Sequence, residues 1–229
     1  MTDPFRVSIV VPVLDEEAAL PGLLDHLASL PGSLEVVVAD GGSRDATVAI
    51  ARARGVRVVG APRGRAAQQN AGAAAATGDV LVFLHADSRL PATAHVSLAA
   101  ALRDPAVAGG NFSLRFDGGD AFSRVLGAWY AVQRRLGVWY GDSTIWVRPE
   151  VFAALGGFPP LPVMEDYAFV RALRGAGATR CLPGPATTSG RRWRALGVAR
   201  TVASWIAIRW LFLAGVPPDR LARLYGNVR

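Results

Sequence analysis

The stretch that indicates the fold of this chain most directly is VLVFLHAD, from Val80 to Asp87. Its apolar run ends abruptly at His85 and Asp87. A short run without polar alternation is typical of a buried strand in a parallel sheet. Open α/β sheets bind their ligands just beyond the C-terminal ends of such strands. Taken alone, the stretch leaves two interpretations of Asp87 open, a ligand-binding carboxylate or a cap of the next helix near Pro91.

Two earlier apolar segments end in the same way. RVSIVVPVLDEE reaches Asp15 and two glutamates, and LEVVVADGG reaches Asp40 ahead of two glycines. Because the C-terminal ends of parallel strands meet at one edge of a sheet, these carboxylates should lie close to Asp87. We therefore predict a site at this edge that holds a metal or a nucleotide.

Composition limits the classes of function. The 229 residues suffice for one domain with an appendage. All 25 basic residues are arginine, which excludes a Schiff-base or phosphate-loop lysine. The net charge of +7 suits a phosphorylated substrate or a membrane surface, although solubility alone explains it as well. With Cys181 as the single cysteine and no recognisable secretory signal, we expect a cytoplasmic protein without a nucleic-acid partner.

Strand and helix patterns alternate at the spacing of βαβ units up to about residue 104, which predicts a doubly wound, mostly parallel α/β sheet. The predicted strands are 6–13, 34–39, 56–59, 80–84, 107–116 and 143–148. The predicted helices are 16–30, 44–54, 65–77, 92–103, 121–136 and 166–175.

Five segments together resemble family 2 glycosyltransferases, which have the GT-A fold: VPVLDEE, VVADGGSRDAT, RGRAAQQNAG, FLHAD and MEDYAFVRALRGAG. No one of them is specific, but their order and spacing are. GGNFSLRF, YGDSTIWVR and GGFPPLPVMEDYAF are similar to a small bacterial branch labelled selenodomain-associated or arsenosugar-type. The resemblance implies a GT-A domain over 1–189, with a nucleotide-sugar-binding half at 1–104 and an acceptor-side half at 105–189. A basic, apolar helical segment follows at 190–229.

The resemblance places a nucleotide sugar, usually a uridine diphosphate sugar, against the first two strand ends. Pro12 and Val13 would line the base pocket beside Asp15. Asp40 would accept a hydrogen bond from the uracil ring N–H, which suits an ionised carboxylate; an Asp before two glycines is also typical of a turn. Arg65, at a helix start, would approach the diphosphate.

Residues 85–87, HAD, stand at the D-x-D motif of the family, with His85 in place of the first Asp. The resemblance implies that Ala86 belongs to the donor-binding loop and that Asp87 binds Mn²⁺ or Mg²⁺, which neutralises the leaving diphosphate. His85 is either a second ligand, which would favour Mn²⁺, or a hydrogen-bond partner of the ribose or phosphate.

A second carboxylate pair, Glu165 and Asp166, precedes a helical pattern. Without the resemblance, a helix start is the commoner explanation of such a pair. Inverting sugar transfer needs a general base for the acceptor hydroxyl, and the resemblance assigns that role to Asp166, with Glu165 orienting it or binding the acceptor. Asp142 is expected on the acceptor side. The Ser143 and Thr144 that follow it depart from the usual family pattern and leave the acceptor open.

The segment 190–229 combines arginines with Trp193, Trp205 and Trp210. Its apolar run, 202–216, contains Arg209 and is short for a bilayer span. Two interpretations stay open: a helix on the inner face of the membrane as a peripheral contact, or a helix packed against the body or within a homodimer. Arg192 and Trp193 match only part of the Q-x-x-R-W motif of processive relatives, so polymer synthesis is not predicted.

The sequence thus predicts a metal-dependent inverting glycosyltransferase of hexosyl type, which moves a sugar from a nucleotide diphosphate sugar to an acceptor hydroxyl. One alternative is a non-catalytic protein that binds nucleotide sugars or a membrane surface, which the His85 substitution would suit. The other is a sugar-nucleotide nucleotidyltransferase. Such enzymes usually carry a glycine-rich basic loop after the first strand, where this chain has PVLDEE.

Overall fold

The computed structural model describes residues 5–117, 119–190 and 197–225, and within these ranges it shows a seven-stranded sheet in the order β3-β2-β1-β4-β6-β5-β7. The strands are β1 Arg6–Val13, β2 Ser33–Asp40, β3 Arg57–Gly60, β4 Val80–Phe83, β5 Val107–Phe116, β6 Ile145–Val147 and β7 Ala178–Thr188. The strands β1 to β4 are mutually parallel, and β6 runs antiparallel to both of its neighbours. This architecture confirms the predicted mostly parallel α/β fold.

Helices cover both faces of the sheet. They are α1 Leu20–Ser29, α2 Thr47–Ala53, α3 Arg65–Ala75, α4 Ala94–Ala101, α5 Ala121–Arg135, α6 Pro149–Ala154, α7 Glu165–Ala176, α8 Val198–Leu213 and α9 Pro218–Tyr225, with a 3₁₀ turn at Gly141–Ser143. Successive side chains of a strand point to opposite faces. Accordingly, Ile9 of β1 packs in the core with α1 and α4, while its neighbour Val10 packs in the core with α3 and α7.

Two elements of the second half were not predicted from the sequence, α6 and β7. The strand β7 contains Pro183 and Pro185, which cannot donate to a strand ladder. It is an edge strand of the described sheet, and its pairing with β5 shifts register between Phe112 and Leu114. An edge position with an irregular register tolerates these prolines, and this context is not visible in a local pattern.

The helix predicted at 16–30 begins later, at Leu20. The backbone N–H of Glu16 donates to Thr47 Oγ1 at 2.8 Å, and that of Glu17 donates to Asp45 Oδ2 at 3.0 Å. Glu16 and Glu17 therefore belong to a loop after β1 that is hydrogen-bonded to residues following β2. These hydrogen bonds replace the first turn of the predicted helix.

The C-terminal helices pack against the body through one face. Ile208 of α8 and Leu221 of α9 are buried with Val163, Met164 and Tyr167. The opposite side of α8 leaves apolar side chains exposed, among them Ile206, Trp210 and Leu213. None of the helices in the described ranges combines the length and apolar character that crossing a membrane requires.

Candidate active site

The loops that follow β1 and β2 are bonded to each other at the predicted edge of the sheet. Asp15 Oδ1 accepts from the Arg44 N–H at 2.8 Å, and the Asp15 N–H donates to Ser43 Oγ at 3.0 Å. Asp40 accepts from the N–H groups of Gly42 and Ser43 at 3.1 and 3.0 Å. Asp40 therefore forms the turn that one interpretation foresaw, and its recognition of a base stays a prediction.

Helix α3 is hydrogen-bonded to this edge of the sheet and to the loop before α7 through two side-chain amides. Gln68 Nε2 donates to the carbonyls of Val13 and Ala39, at 2.6 and 3.0 Å, and so joins the ends of β1 and β2. Asn70 exchanges hydrogen bonds with the backbone of Phe158, at 2.9 and 2.8 Å, in the loop that leads to α7. The sequence analysis did not assign Gln68 to the site, although it lies in one of the recognised motifs, RGRAAQQNAG.

The predicted base-pocket residues differ in their burial. Val13 is buried in the core, whereas Pro12 is half-buried and Asp15 is exposed. Their contact with a nucleotide base stays a prediction.

The HAD loop follows β4 and is fixed by its own turn. The Ser88 N–H donates to the His85 carbonyl at 3.0 Å, and Ser88 Oγ bonds Thr188 Oγ1 of β7 at 3.0 Å. Ala86 is buried in the core, which leaves His85 and Asp87 half-buried on either side of it. The strand is thus followed by a half-buried His and Asp, and their contact with a ligand stays a prediction.

Gly141 brings the two halves of the site together. Its N–H donates to Asp166 Oδ2 at 2.8 Å. A Cβ atom at this position would lie 3.2 Å from Asp166 Oδ2 and 3.2 Å from His85 Nε2, so both side chains approach this glycine closely and would have to shift by a few tenths of an ångström to accept a larger residue. Hence His85, from the loop after β4, and Asp166, from the first turn of α7, lie against the same residue.

Asp142 lies next to this junction. Burial raises the pKa of its carboxyl; the charge of His85 acts against that rise, Asp166 adds to it, Arg65 opposes it and Asp87 adds to it. Three carboxylates, a histidine and an arginine thus act on one another at the edge of the sheet. A concentration of interacting titratable groups in a cleft is typical of a functional site.

The pair Glu165 and Asp166 occupies the first turn of α7, and neither residue is its N-cap, which is Met164. Asp166 Oδ1 accepts from the Tyr167 N–H at 2.7 Å. Glu165 is 1% exposed, and its Oε1 lies 2.7 Å from Arg65 Nε. This ion pair joins the starts of α3 and α7, so Arg65 has a structural partner besides its predicted role at the diphosphate.

Three non-glycine residues in the loops around these groups have a left-handed backbone conformation. Asp15, Thr144 and Met164 have φ values of 53°, 56° and 65°. Non-glycine residues rarely adopt such values, least of all a β-branched one such as Thr144, and strained positions of this kind concentrate at functional sites.

Glu165 makes the stability of the protein dependent on pH. Burial raises the pKa of its carboxyl from 4.5 to about 7, although Arg65 acts against the rise. Between these values the folded chain holds a proton that the unfolded chain has lost, so the free energy of unfolding falls as the pH rises through this window.

We therefore expect Glu165→Gln to remove this pH dependence. From pH 4.5 to above pH 7, the wild type should lose roughly 2 to 4 kcal/mol of unfolding free energy relative to the variant, at about 1.4 kcal/mol per pH unit. The measurement is the free energy of unfolding in urea, determined for both proteins at a series of pH values. If the free energy of unfolding changed with pH in the same way in both proteins, the assignment of a protonated, buried Glu165 would be contradicted.

The described residues contain no group of three or more His, Cys, Asp and Glu side chains that could hold a metal ion by themselves. In enzymes that act on phosphorylated substrates, Mg²⁺ is commonly held by one or two carboxylates together with the phosphates of the substrate. Asp87, with His85 beside it, fits a site of that kind, in which the ion binds together with its substrate.

A cavity of about 260 Å³ lies between α5 and α8, and we call it the α5–α8 cavity. It is lined by Arg65, Trp129, Tyr130, Gln133, Tyr140, Asp142, Val163, Met164, Asp166, Trp205, Ile206, Ile208, Arg209 and Trp210. The sequence analysis predicted an acceptor-side position for Asp142 but did not foresee the aromatic lining. The Arg192 and Trp193 pair considered there lies outside the described residues.

Several solved structures share this fold. The mannosyltransferase PcManGT from Pyrobaculum calidifontis, in complex with GDP-Man and Mn²⁺, is 21% identical, with 81% of this chain and 56% of that chain covered and a TM-score of 0.59. TarS from S. aureus is 18% identical, with 81% and 60% covered and a TM-score of 0.64. This chain therefore spans less than two thirds of either.

Glucosyl-3-phosphoglycerate synthase from Mycobacterium tuberculosis, in complex with Mn²⁺, uridine diphosphate and phosphoglyceric acid, is 23% identical. Here 93% of this chain and 80% of that chain are covered, with a TM-score of 0.63. At these identities the likeness concerns the fold.

No curated protein matched the chain by sequence. The model of the family described as "Glycosyl transferase family 2" matches residues 8–156, about two thirds of the sequence, and the chain belongs to that family.

Proposed function

We propose that this protein is a metal-dependent, inverting glycosyltransferase of hexosyl type, which moves a sugar from a nucleotide diphosphate sugar to an acceptor hydroxyl. The observation that carries the proposal is the junction at Gly141, which His85 approaches from the proposed donor edge and Asp166 approaches from the proposed acceptor side. A transferase needs its donor and its base within reach of one reacting carbon. Within the family, GGNFSLRF and YGDSTIWVR favour the small bacterial selenodomain-associated or arsenosugar-type branch.

For the donor, we propose a uridine diphosphate sugar bound across the ends of β1, β2 and β4. Asp40 and Pro12 would contact the base, with Val13 and Asp15 beside them, and Ala86 would belong to the loop under the sugar. Arg65 is exposed enough, at 42% of its side chain, to meet the diphosphate from the start of α3 while it remains paired with Glu165. The synthase with a similar fold was crystallised with uridine diphosphate and Mn²⁺, which supports this choice.

For the metal, we propose Mn²⁺ or Mg²⁺ held by Asp87, with His85 as a second ligand or as a partner of the phosphate. Bound there, the ion would neutralise charge on the leaving diphosphate. Both PcManGT and the mycobacterial synthase were crystallised with Mn²⁺. An imidazole ligand would favour Mn²⁺ over Mg²⁺.

For the base, we propose Asp166. The acceptor oxygen forms a bond to the anomeric carbon as the bond from that carbon to the diphosphate oxygen breaks, and the hydroxyl proton passes to the Asp166 carboxylate. Both oxygens of Asp166 already accept one backbone N–H, from Gly141 and Tyr167. These bonds hold the carboxylate in place, and each oxygen has a further lone pair for the hydroxyl.

A thermal-shift screen of nucleotides and nucleotide sugars, with and without Mn²⁺, tests the proposal. Because a ligand that binds only the folded state stabilises it, uridine diphosphate sugars should raise Tm, and Mn²⁺ should increase the effect. If no nucleotide sugar changed Tm, the proposal would be contradicted.

We also propose that the protein is cytoplasmic, that residues 1–189 form the catalytic domain, and that the segment 190–229 makes peripheral contact with an anionic membrane through α8. The support is the exposed apolar residues of α8, including Leu211 and Leu213, in a chain of net charge +7. A second copy of the chain is the alternative partner of this surface.

Replacing Leu211 and Leu213 together by Gln should reduce co-sedimentation with anionic vesicles several-fold, because apolar insertion is lost. Val96→Gln, on the exposed side of α4, is the matched control. Equal vesicle binding by both variants and the wild type would contradict the membrane contact. A shift from dimer to monomer in analytical ultracentrifugation would identify the second copy instead.

A further inference from the structure

The α5–α8 cavity joins the carboxylates of the site to a mostly apolar wall. Asp142 and Asp166 belong to its lining, and so do the side chains of Trp129, Trp205 and Ile208. A cavity with a few polar groups at one part and apolar or aromatic side chains elsewhere is the usual form of a small-molecule site. The apolar and aromatic wall suits a ligand that has an apolar or aromatic body.

Two buried donors give the cavity a second polar feature. Gln133 is 6% exposed and lines the cavity, and its Oε1 accepts from Arg209 Nη1 at 2.8 Å. Gln133 Nε2 and Arg209 Nε are buried and have no hydrogen-bond partner within the described part of the chain. Leaving buried donors unsatisfied is costly. A ligand oxygen in the cavity would satisfy them, and an anionic oxygen would also suit the arginine charge.

The apolar wall continues from the cavity onto the surface. On α5, the exposed apolar residues Val125, Trp129 and Val132 follow one another at intervals of four and three, which places them on one side of the helix, and the exposed C-cap residue Leu136 follows four positions later. On α8, Ile206 and Trp210 are exposed and also line the cavity, as Trp129 does.

We propose that the acceptor is a small amphiphile. Its apolar or aromatic body would lie between α5 and α8, an anionic or carbonyl oxygen would accept from Gln133 and Arg209, and its hydroxyl would reach Asp166. This inference rests on the proposed function, since it names the acceptor class for the same transfer. No co-reactant is needed beyond the donor sugar: the acceptor oxygen gains the anomeric carbon, the diphosphate leaves, and Asp166 takes the proton.

The test titrates the full chain with 1-anilinonaphthalene-8-sulfonate, an aromatic anion whose fluorescence rises in apolar surroundings, and then with dodecanoate as a competitor below its micelle concentration. Arg209→Gln and Gln133→Leu each remove a donor and should weaken binding of the dye about tenfold. Ile206→Asn should weaken it about fivefold. Arg200→Gln, exposed on α8 outside the lining residues, and Val96→Asn are the matched controls and should bind as the wild type does.

Displacement of the dye by dodecanoate would indicate single-chain amphiphiles as the source of the acceptor, and dye binding without displacement would indicate compact aromatic ones. In the same samples, stabilisation by uridine diphosphate and Mn²⁺ reports on the donor site and should be unchanged in the cavity variants. If that stabilisation is present but all variants bind the dye equally, the inference is wrong and the proposed function stands. If the stabilisation is absent from the wild type, the proposed function fails, and the acceptor role fails with it.

Discussion

Asp166→Asn is expected to lose nearly all sugar transfer while the protein folds and binds its donor as before. Loss of one general base typically lowers a rate by about 10² to 10⁴. Asn keeps the size of the side chain, and its amide oxygen can still accept from the Gly141 N–H, so the contact between Gly141 and α7 should survive. The bond from the Tyr167 N–H is lost, because the amide NH₂ cannot accept it, and this should lower the free energy of unfolding by only about 1 kcal/mol. The measurements are initial transfer rates, the melting temperature, and donor affinity by calorimetry.

Asp25→Asn is the matched control, because Asp25 is exposed on α1 and pairs only with the partly exposed Arg54 among the ion pairs of the described residues. It should leave all three quantities unchanged. A parallel loss of stability and transfer in Asp166→Asn would mark this carboxylate as a structural group. Retained transfer would move the base to Glu165 or Asp142.

Asp87→Ala is expected to abolish the metal dependence of donor binding. Outer-shell partners of a metal commonly account for about 10- to 100-fold in affinity, so removing a direct ligand should cost more than about 100-fold when Mn²⁺ is present. The fold should persist, because Asp87 is half-buried at the edge of the sheet and the turn beneath it is held by Ser88.

Calorimetric titration of uridine diphosphate with and without Mn²⁺ measures this effect, with Asp25→Ala as the control for removing a carboxylate elsewhere. An affinity that responds to Mn²⁺ in Asp87→Ala as it does in the wild type would contradict the metal assignment. The other donor contacts do not depend on Asp87, so binding without metal should be similar in both proteins.

Much of the fold could be predicted from short-range patterns. The strands at 6–13 and 107–116 have the predicted bounds. The first is a nearly continuous apolar run, as is typical of a buried strand in a parallel sheet. The meeting of three strand ends at one edge followed from the same patterns and from the order of parallel strands. By contrast, β7 was missed because its prolines are tolerated only through its place at the edge.

The site could be predicted only in part, for a physical reason. Carboxylates at the ends of strands are visible locally, and so Asp87 and Asp40 could be named in advance, whereas Asp166, in the first turn of α7, was named only through the resemblance to the family. The α5–α8 cavity depends on contacts between distant parts of the chain, such as Arg209 with Gln133, and neither helix shows it alone. The part played by Gly141 is likewise a matter of spacing in three dimensions, since only the folded chain places His85 beside it.

The most direct test of the central claim is the release of nucleotide diphosphate from uridine diphosphate sugars by the purified full chain in the presence of Mn²⁺. The wild type should release it, chelation of the metal should stop the release, and Asp87→Ala should be inactive at the same donor concentration. A wild type that binds these sugars with Mn²⁺ yet leaves them intact, with and without the amphiphilic acceptors proposed above, would contradict the account and identify a binding protein.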